Sequence, residues 1–170
     1  MQIAKTLMYN STINKEVTMK TIQPIDVANF FLSAMDDDAG DLISNLKIQK
    51  LVYYAQGVHL AMFDTILFDE EILAWEHGPV VSSLYQEFKA FGKNAIEPNF
   101  TEFDMNVFTE DQKNMLKDVY NTFGQFSAWV LRNMTHEESP WLETTQNGKV
   151  IGGVISTELL KNYFKTQIED

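Results

Sequence analysis

The chain has 170 residues, no cysteine, 45% hydrophobic and 12% aromatic residues, and 24 acids against 13 lysines and arginines, a net charge of −11. That length holds one domain whose core needs neither disulfide nor metal, and the missing cysteine excludes disulfide scaffolds, Cys-type zinc sites and thiol nucleophiles. The acidic field repels a phosphate backbone, so direct nucleic-acid binding is not expected, and it attracts a basic protein surface.

No apolar run approaches the ~20 residues that cross a bilayer, so no membrane partner is expected. Residues 1–19, MQIAKTLMYNSTINKEVTM, lack the apolar core and cleavage pattern of a secretory signal, which points to the cytoplasm. They form a polar extension, read either as a weakly structured terminus or as an arm that orders on a partner. The folded domain is placed at 20–170.

The first helix is expected to open at Pro24, where no N–H is needed, with Asp26 favourable to the dipole of its first turn. Val27, Phe30, Phe31, Ala34 and Met35 share one face. Asp36, Asp37 and Asp38 followed by Gly40 oppose the dipole and end it. A second helix spans about Leu46–Met62, with Ile48, Leu51, Val52, Ala55, Val58 and Met62 as its inner stripe. Lys47, Lys50 and Gln56 lie mostly off that stripe, and Tyr53 and Tyr54 flank it with polar tips. Gly57 inside the helix costs roughly 1 kcal/mol relative to Ala, which a close helix contact would rationalise.

Residues 66–75, ILFDEEILAW, suggest a small β-hairpin with strands near Ile66–Phe68 and Ile72–Trp75. The next helix is expected from Pro79 or Val80 to Gly92, after a strand-to-helix corner made by Gly78 and Pro79. Thr109 and Gln112 form a capping box for a further helix faced by Met115, Val119, Tyr120 and Phe123. A separate short helix follows from Ser127 to Met134, then a turn from His136 to Trp141. Ser156 or Thr157 caps a last helix carrying Leu159, Leu160, Tyr163 and Phe164. The fold class is mainly α: about six helices around one core, with a small inserted hairpin.

Known catalytic patterns are missing. His59, His77 and His136 sit in no compact metal-ligand spacing, so neither metal nor cofactor is expected. There is no GxSxG for a serine nucleophile and no P-loop lysine. Glu70/Glu71 and Glu137/Glu138 are adjacent acids that usually point apart. A small hydrolase using His77 or His136 with nearby carboxylates is the enzymatic alternative.

Several motifs occur in order: Asp26-Val27-Ala28, then Leu46 with Gln49-Lys50-Leu51-Val52-Tyr53-Tyr54-Ala55-Gln56, then Leu67-Phe68. Ala74-Trp75-Glu76-His77-Gly78-Pro79-Val80, Leu84-Tyr85 and Phe88 follow, and Leu131, Thr135-His136-Glu137 and Pro140-Trp141 close the set. Together they resemble the Panacea domain, the SocA-like antitoxin and phage-associated GepA-type family, over most of residues 20–165. Glu76 stands where that family often has an aromatic. The resemblance implies a mainly helical antitoxin that neutralises a cognate protein toxin by direct binding. It also implies an alternative, an adaptor that hands its toxin to a cytoplasmic protease. It brings no catalytic residues. Tyr53, Tyr54, Glu76 and His77, each with a polar tip near the motif, are the partner-binding candidates. For Glu76 and His77, surface recognition and structural hydrogen bonding are equally open.

Overall fold

Helix α1 (Pro24–Ala34) carries Pro24 in its first turn and ends at Met35, which is extended. The backbone N–H of Gln23 donates to the Asp26 carboxylate at 2.8 Å, so the acid caps the helix it begins. The computed structural model describes residues 20–35 and 42–168. The expectations for residues 1–19, for Asp36, Asp37 and Asp38, and for Gly40 lie outside them.

Helix α2 (Asn45–Phe63) is the axis of the molecule, and 15 of its 19 residues are buried. Helix α1 packs against it, as do α4 (Glu110–Phe123), α5 (Ala128–Glu137) and α7 (Thr157–Ile168). Burial on nearly every side corrects the expectation for Lys47, Lys50 and Gln56. All three are buried, because their polar ends reach backbone groups of the surrounding elements. Met62, expected inside, is 49% exposed at the far end of the helix.

The helix is capped at both ends. Ser44 accepts from the Lys47 N–H, and Asp64, at φ 58°, returns its N–H to the Leu60 carbonyl. Lys161 and Lys165 of α7 meet the Asp64 carboxylate at 2.7 and 2.9 Å. Their hydrogen bonds and charges hold its pKa down at about 2.

The hairpin is real but lies further along the chain than expected. Strand β1 (Ile72–Trp75) pairs antiparallel with β2 (Gly78–Val81), Trp75 opposite Gly78 and Ile72 opposite Val81. Ile66–Phe68 form no strand. The Gln56 amide pairs that backbone instead, accepting from Leu67 N–H at 2.7 Å and donating to the Phe68 carbonyl at 2.8 Å. Pro79 therefore lies in a strand, and helix α3 starts only at Ser82 (Ser82–Phe88). A two-residue strand β3 (Val154–Ile155) joins the other side of β1, giving the order β2-β1-β3.

The capping box of α4 is as expected: Gln112 N–H donates to Thr109 Oγ1, and Thr109 N–H to Gln112 Oε1. Helix α5 continues through His136 to Glu137, past the expected end at Met134. A short α6 (Ser139–Thr144) with Pro140 in its first turn replaces the expected turn. The described residues thus contain seven α-helices and one small sheet. No helix among them is long and apolar enough to cross a membrane.

At Gly57 the Phe164 side chain of α7 lies directly against the α2 backbone. A Cβ there would overlap the Phe164 ring. Phe164 is buried, and its ring packs edge-on against Tyr53 at 5.5 Å. Gly57→Ala is expected to destabilise the fold by roughly 1–3 kcal/mol by overpacking. Adding Phe164→Leu should return part of that loss in urea titrations, because it makes room for the methyl group. Additive losses in the double variant would show that the ring is not what the glycine admits.

Candidate functional site

Strands β1 and β2 are joined by Glu76 and His77, neither of which has positive φ; Gly78 follows at φ 98°. The glycine answers two demands at once. It takes a backbone conformation that side chains disfavour, and a Cβ there would meet Thr135 Oγ1 at 2.7 Å and Lys50 Cε at 2.9 Å. The hairpin lies that close to α2 and α5.

Three carbonyls of this turn are held from three elements. Trp141 Nε1 of α6 donates to the Trp75 carbonyl at 2.9 Å. His136 Nε2 of α5 lies 2.8 Å from the Glu76 carbonyl, and Lys50 Nζ of α2 donates to the Pro79 carbonyl at 3.0 Å. On β2, the Val81 N–H donates to Gln49 Oε1 at 2.9 Å. Gln49 also donates to Asn45, which donates to the Tyr85 carbonyl. The QK, WEHGP, THE and PW motifs are thus parts of one clamp around a hairpin.

The clamp is electrostatically costly. Lys50 is fully buried; burial first, and then the Arg132 charge, lower its pKa to about 7. His136 has both ring nitrogens on carbonyl oxygens, Arg132 O at 2.7 Å and Glu76 O at 2.8 Å. Burial still holds its pKa below the ordinary value, against the pull of those two contacts. One N–H of the neutral ring then donates, and only the imidazolium can donate to both carbonyls.

Tyr53 and Tyr54 lie in the core, 0% and 1% exposed, so neither ring faces a partner from the outer surface. Both hydroxyls donate to one carboxylate, Tyr53 to Glu138 Oε2 and Tyr54 to Oε1, each at 2.7 Å. Glu138 is the residue between α5 and α6. Burial pushes its carboxyl up to about 7, although the two hydroxyls pull the other way. Burial and the neighbouring carboxylate raise both tyrosines, Tyr53 well above the ordinary phenol value.

Glu76 and His77 are exposed at the hairpin tip. The His77 ring lies 6.1 Å from that of Trp129, a tryptophan 56% exposed on α5. The Arg132 guanidinium covers the Trp129 ring at 5.2 Å. Beside the tip, a groove of about 440 Å³ runs between Trp75, Tyr85, Val80, His77, Lys89 and Lys93. The structure therefore gathers Glu76 and His77 at one surface and sends Tyr53 and Tyr54 to a separate buried cluster.

The hydrolase alternative finds little here. His136 is bonded to two backbone carbonyls, and His77 has no hydrogen-bonded carboxylate among the described residues. Glu70 caps α3, accepting from Ser83 N–H and Oγ, and so is not half of a carboxylate pair. His59 is structural: Nδ1 lies 2.7 Å from the Thr65 carbonyl and Nε2 3.3 Å from Gln112 Nε2. Among the described residues no group of three or more histidines and acids is placed to hold a metal.

Sequence reading missed Lys50, Glu138 and Trp129. A lysine flanked by the apolar stripe and two adjacent tyrosines needing acceptors were the available signals. Nothing local says which of Glu137 and Glu138 turns inward.

A model of the family described as "Antitoxin SocA-like, Panacea domain" matches residues 48–142, more than half of the chain. The segment begins in α2 and ends in α6, so it contains every residue of the clamp from Gln49 to Trp141. No curated protein and no solved structure matches.

Trp141→Phe removes one donor and leaves the Trp75 carbonyl without it. It should cost about 1–2 kcal/mol and speed amide exchange in residues 72–81. Unchanged exchange there would remove the indole from the clamp. The buried ionisable groups give stability a pH signature. Glu138 titrates at about 7 in the fold against an ordinary 4.5, so the folded chain binds that proton more tightly than the unfolded chain. Stability through this group falls as pH rises from 4.5 to 7 and then levels. Lys50, about 7 against 10.5, has the opposite imbalance, and its contribution falls as pH drops from 10.5 to 7. Both penalties are greatest near pH 7. Glu138→Gln should flatten the acid limb in urea titrations, a change on the order of 3 kcal/mol at 1.4 kcal/mol per tenfold shift. An acid limb as steep as that of the unaltered chain would disprove the role of Glu138.

Proposed function

The chain belongs to the SocA-like antitoxin family with the Panacea domain, and we propose that it neutralises a cognate protein toxin by binding it directly. The observation that carries the reading is the family match over the segment holding the clamped hairpin. The chain acts by occupancy, not by turnover, and meets its toxin in the cytoplasm. A net charge of −11 favours a toxin with a basic face.

The contact surface is the hairpin tip with its neighbours: Glu76, His77 and Trp129, bordered by the Trp75–Tyr85 groove. An exposed tryptophan with an arginine over its ring, beside a rigid polar turn, has the composition of an interface hot spot. The clamp makes the tip rigid, so little ordering entropy is lost when it is covered. Tyr53 and Tyr54 serve from beneath, holding Glu138 where α5 turns into α6.

The test is co-expression with the product of the neighbouring gene. Growth arrest by that product, relief by this chain and a co-purifying complex are expected. A neighbour that is harmless alone and never co-purifies would sink the proposal. Toxin levels, followed by immunoblot, separate blocking from delivery to a protease: blocking leaves them unchanged. His77→Ala with Trp129→Ala should weaken the complex by tenfold or more, while stability moves by only about 0.5 kcal/mol, as for surface changes generally.

A further inference from the structure

A second groove, of about 430 Å³, opens between α2, α4 and α7, with Met134 of α5 in its lining. Its walls are apolar and aromatic, including Val58, Met115, Phe123, Tyr163 and Phe164. Its mouth is marked by Met62, 49% exposed, and Ile168, 44% exposed. In this apolar setting sits the Glu138 carboxylate, only 8% exposed yet part of the groove lining.

The carboxylate has hydroxyls but no cation. Tyr53 and Tyr54 give it one hydrogen bond each, which leaves a second lone pair on both oxygens. Among the described residues no lysine or arginine pairs with it. The two lysines of α7, Lys161 and Lys165, are bound to Asp64 instead. Asp118 adds a second acid to the lining, and no basic residue lines the groove. Burying an acid in an apolar wall without a counter-charge is unfavourable unless something supplies one. Aromatic faces around a carboxylate suit a cation on an apolar stem, since ring faces attract cations most strongly when water is excluded.

We propose that this groove receives a helix of the partner protein, one that presents an aliphatic stripe and a single lysine or arginine whose cation reaches Glu138. The stem of that side chain lies along Val58, Met115 and Phe123, and its head meets Glu138 beside the Tyr54 and Tyr163 rings. This rests on the toxin-binding reading and adds the chemistry of the partner's anchor.

The test uses no toxin, so its failure and that of the toxin-binding reading are separable. Two blocked amphipathic peptides of leucine and alanine are titrated into the full chain, one with a central lysine, the other with norleucine in its place. The methionine methyl signals report where they bind, Met62 and Met134 being groove residues. The lysine peptide should shift these signals and bind at least tenfold more tightly than the norleucine peptide. Glu138→Gln should abolish the difference without abolishing binding. Met62→Lys, at the exposed mouth and so harmless to the fold, should weaken the lysine peptide more than the other. Equal affinities in the unaltered chain, a lysine preference that survives both substitutions, or no binding of either peptide would overturn the proposal.

Discussion

Helix α2 turns its polar side chains inward, and the architecture around it follows from satisfying them. Gln49 and Gln56 pair the backbone of β2 and of the segment before β1, Lys47 and Lys50 donate to carbonyls of Gly124 and Pro79, and Tyr53 and Tyr54 share one carboxylate. A buried polar group without its partner costs about 1–3 kcal/mol, more when charged. Each of these contacts therefore penalises any arrangement in which the loop lies elsewhere. Apolar packing alone would tolerate a sliding hairpin. A set of amides and amines at fixed positions along a helix does not, so the irregular segments are held in register without a large sheet.

The regular elements were legible because they depend on local rules. Pro24, the Thr109–Gln112 box, Ser127 and Ser156 mark helix starts through their own backbone chemistry, and the helical spacing of Met115 and Val119 or Leu160 and Tyr163 needs no knowledge of the rest. Gly57 could be flagged as a conflict, but its resolution by Phe164 lies more than a hundred residues away in the chain. The hairpin was displaced because Ile66–Phe68 has strand-like composition, while its actual pairing partner is a helix side chain. Pro79 suits a helix start or an edge strand equally well, and the choice is made by its carbonyl taking Lys50. Periodicity assumes that polar means outward, so it misplaced Lys50 and Gln56 for the very reason that they matter.

The motifs that carry the family resemblance mostly face inward. His136, Trp141, Gly78, Lys50 and Gln49 all hold the hairpin and expose little. Glu76, His77 and Trp129 form the outer surface and hold nothing else in place. A scaffold of this kind separates two requirements: the inward set keeps a rigid tip, and the outward set can differ without disturbing it.

The polar bonds of α2 also set an order in time. Lys47 waits for Gly124, Tyr53 and Tyr54 wait for Glu138, and Gly57 is covered only when Phe164 arrives in the last helix. During synthesis Lys47, Tyr53, Tyr54 and Gly57 of the central helix therefore lack their eventual neighbours until α4, the α5–α6 junction and α7 have been made. Non-local closure of this sort delays folding and leaves sticky surface open meanwhile. Helix α7, which lies beyond the family-matched segment, acts as the latch that ends that interval.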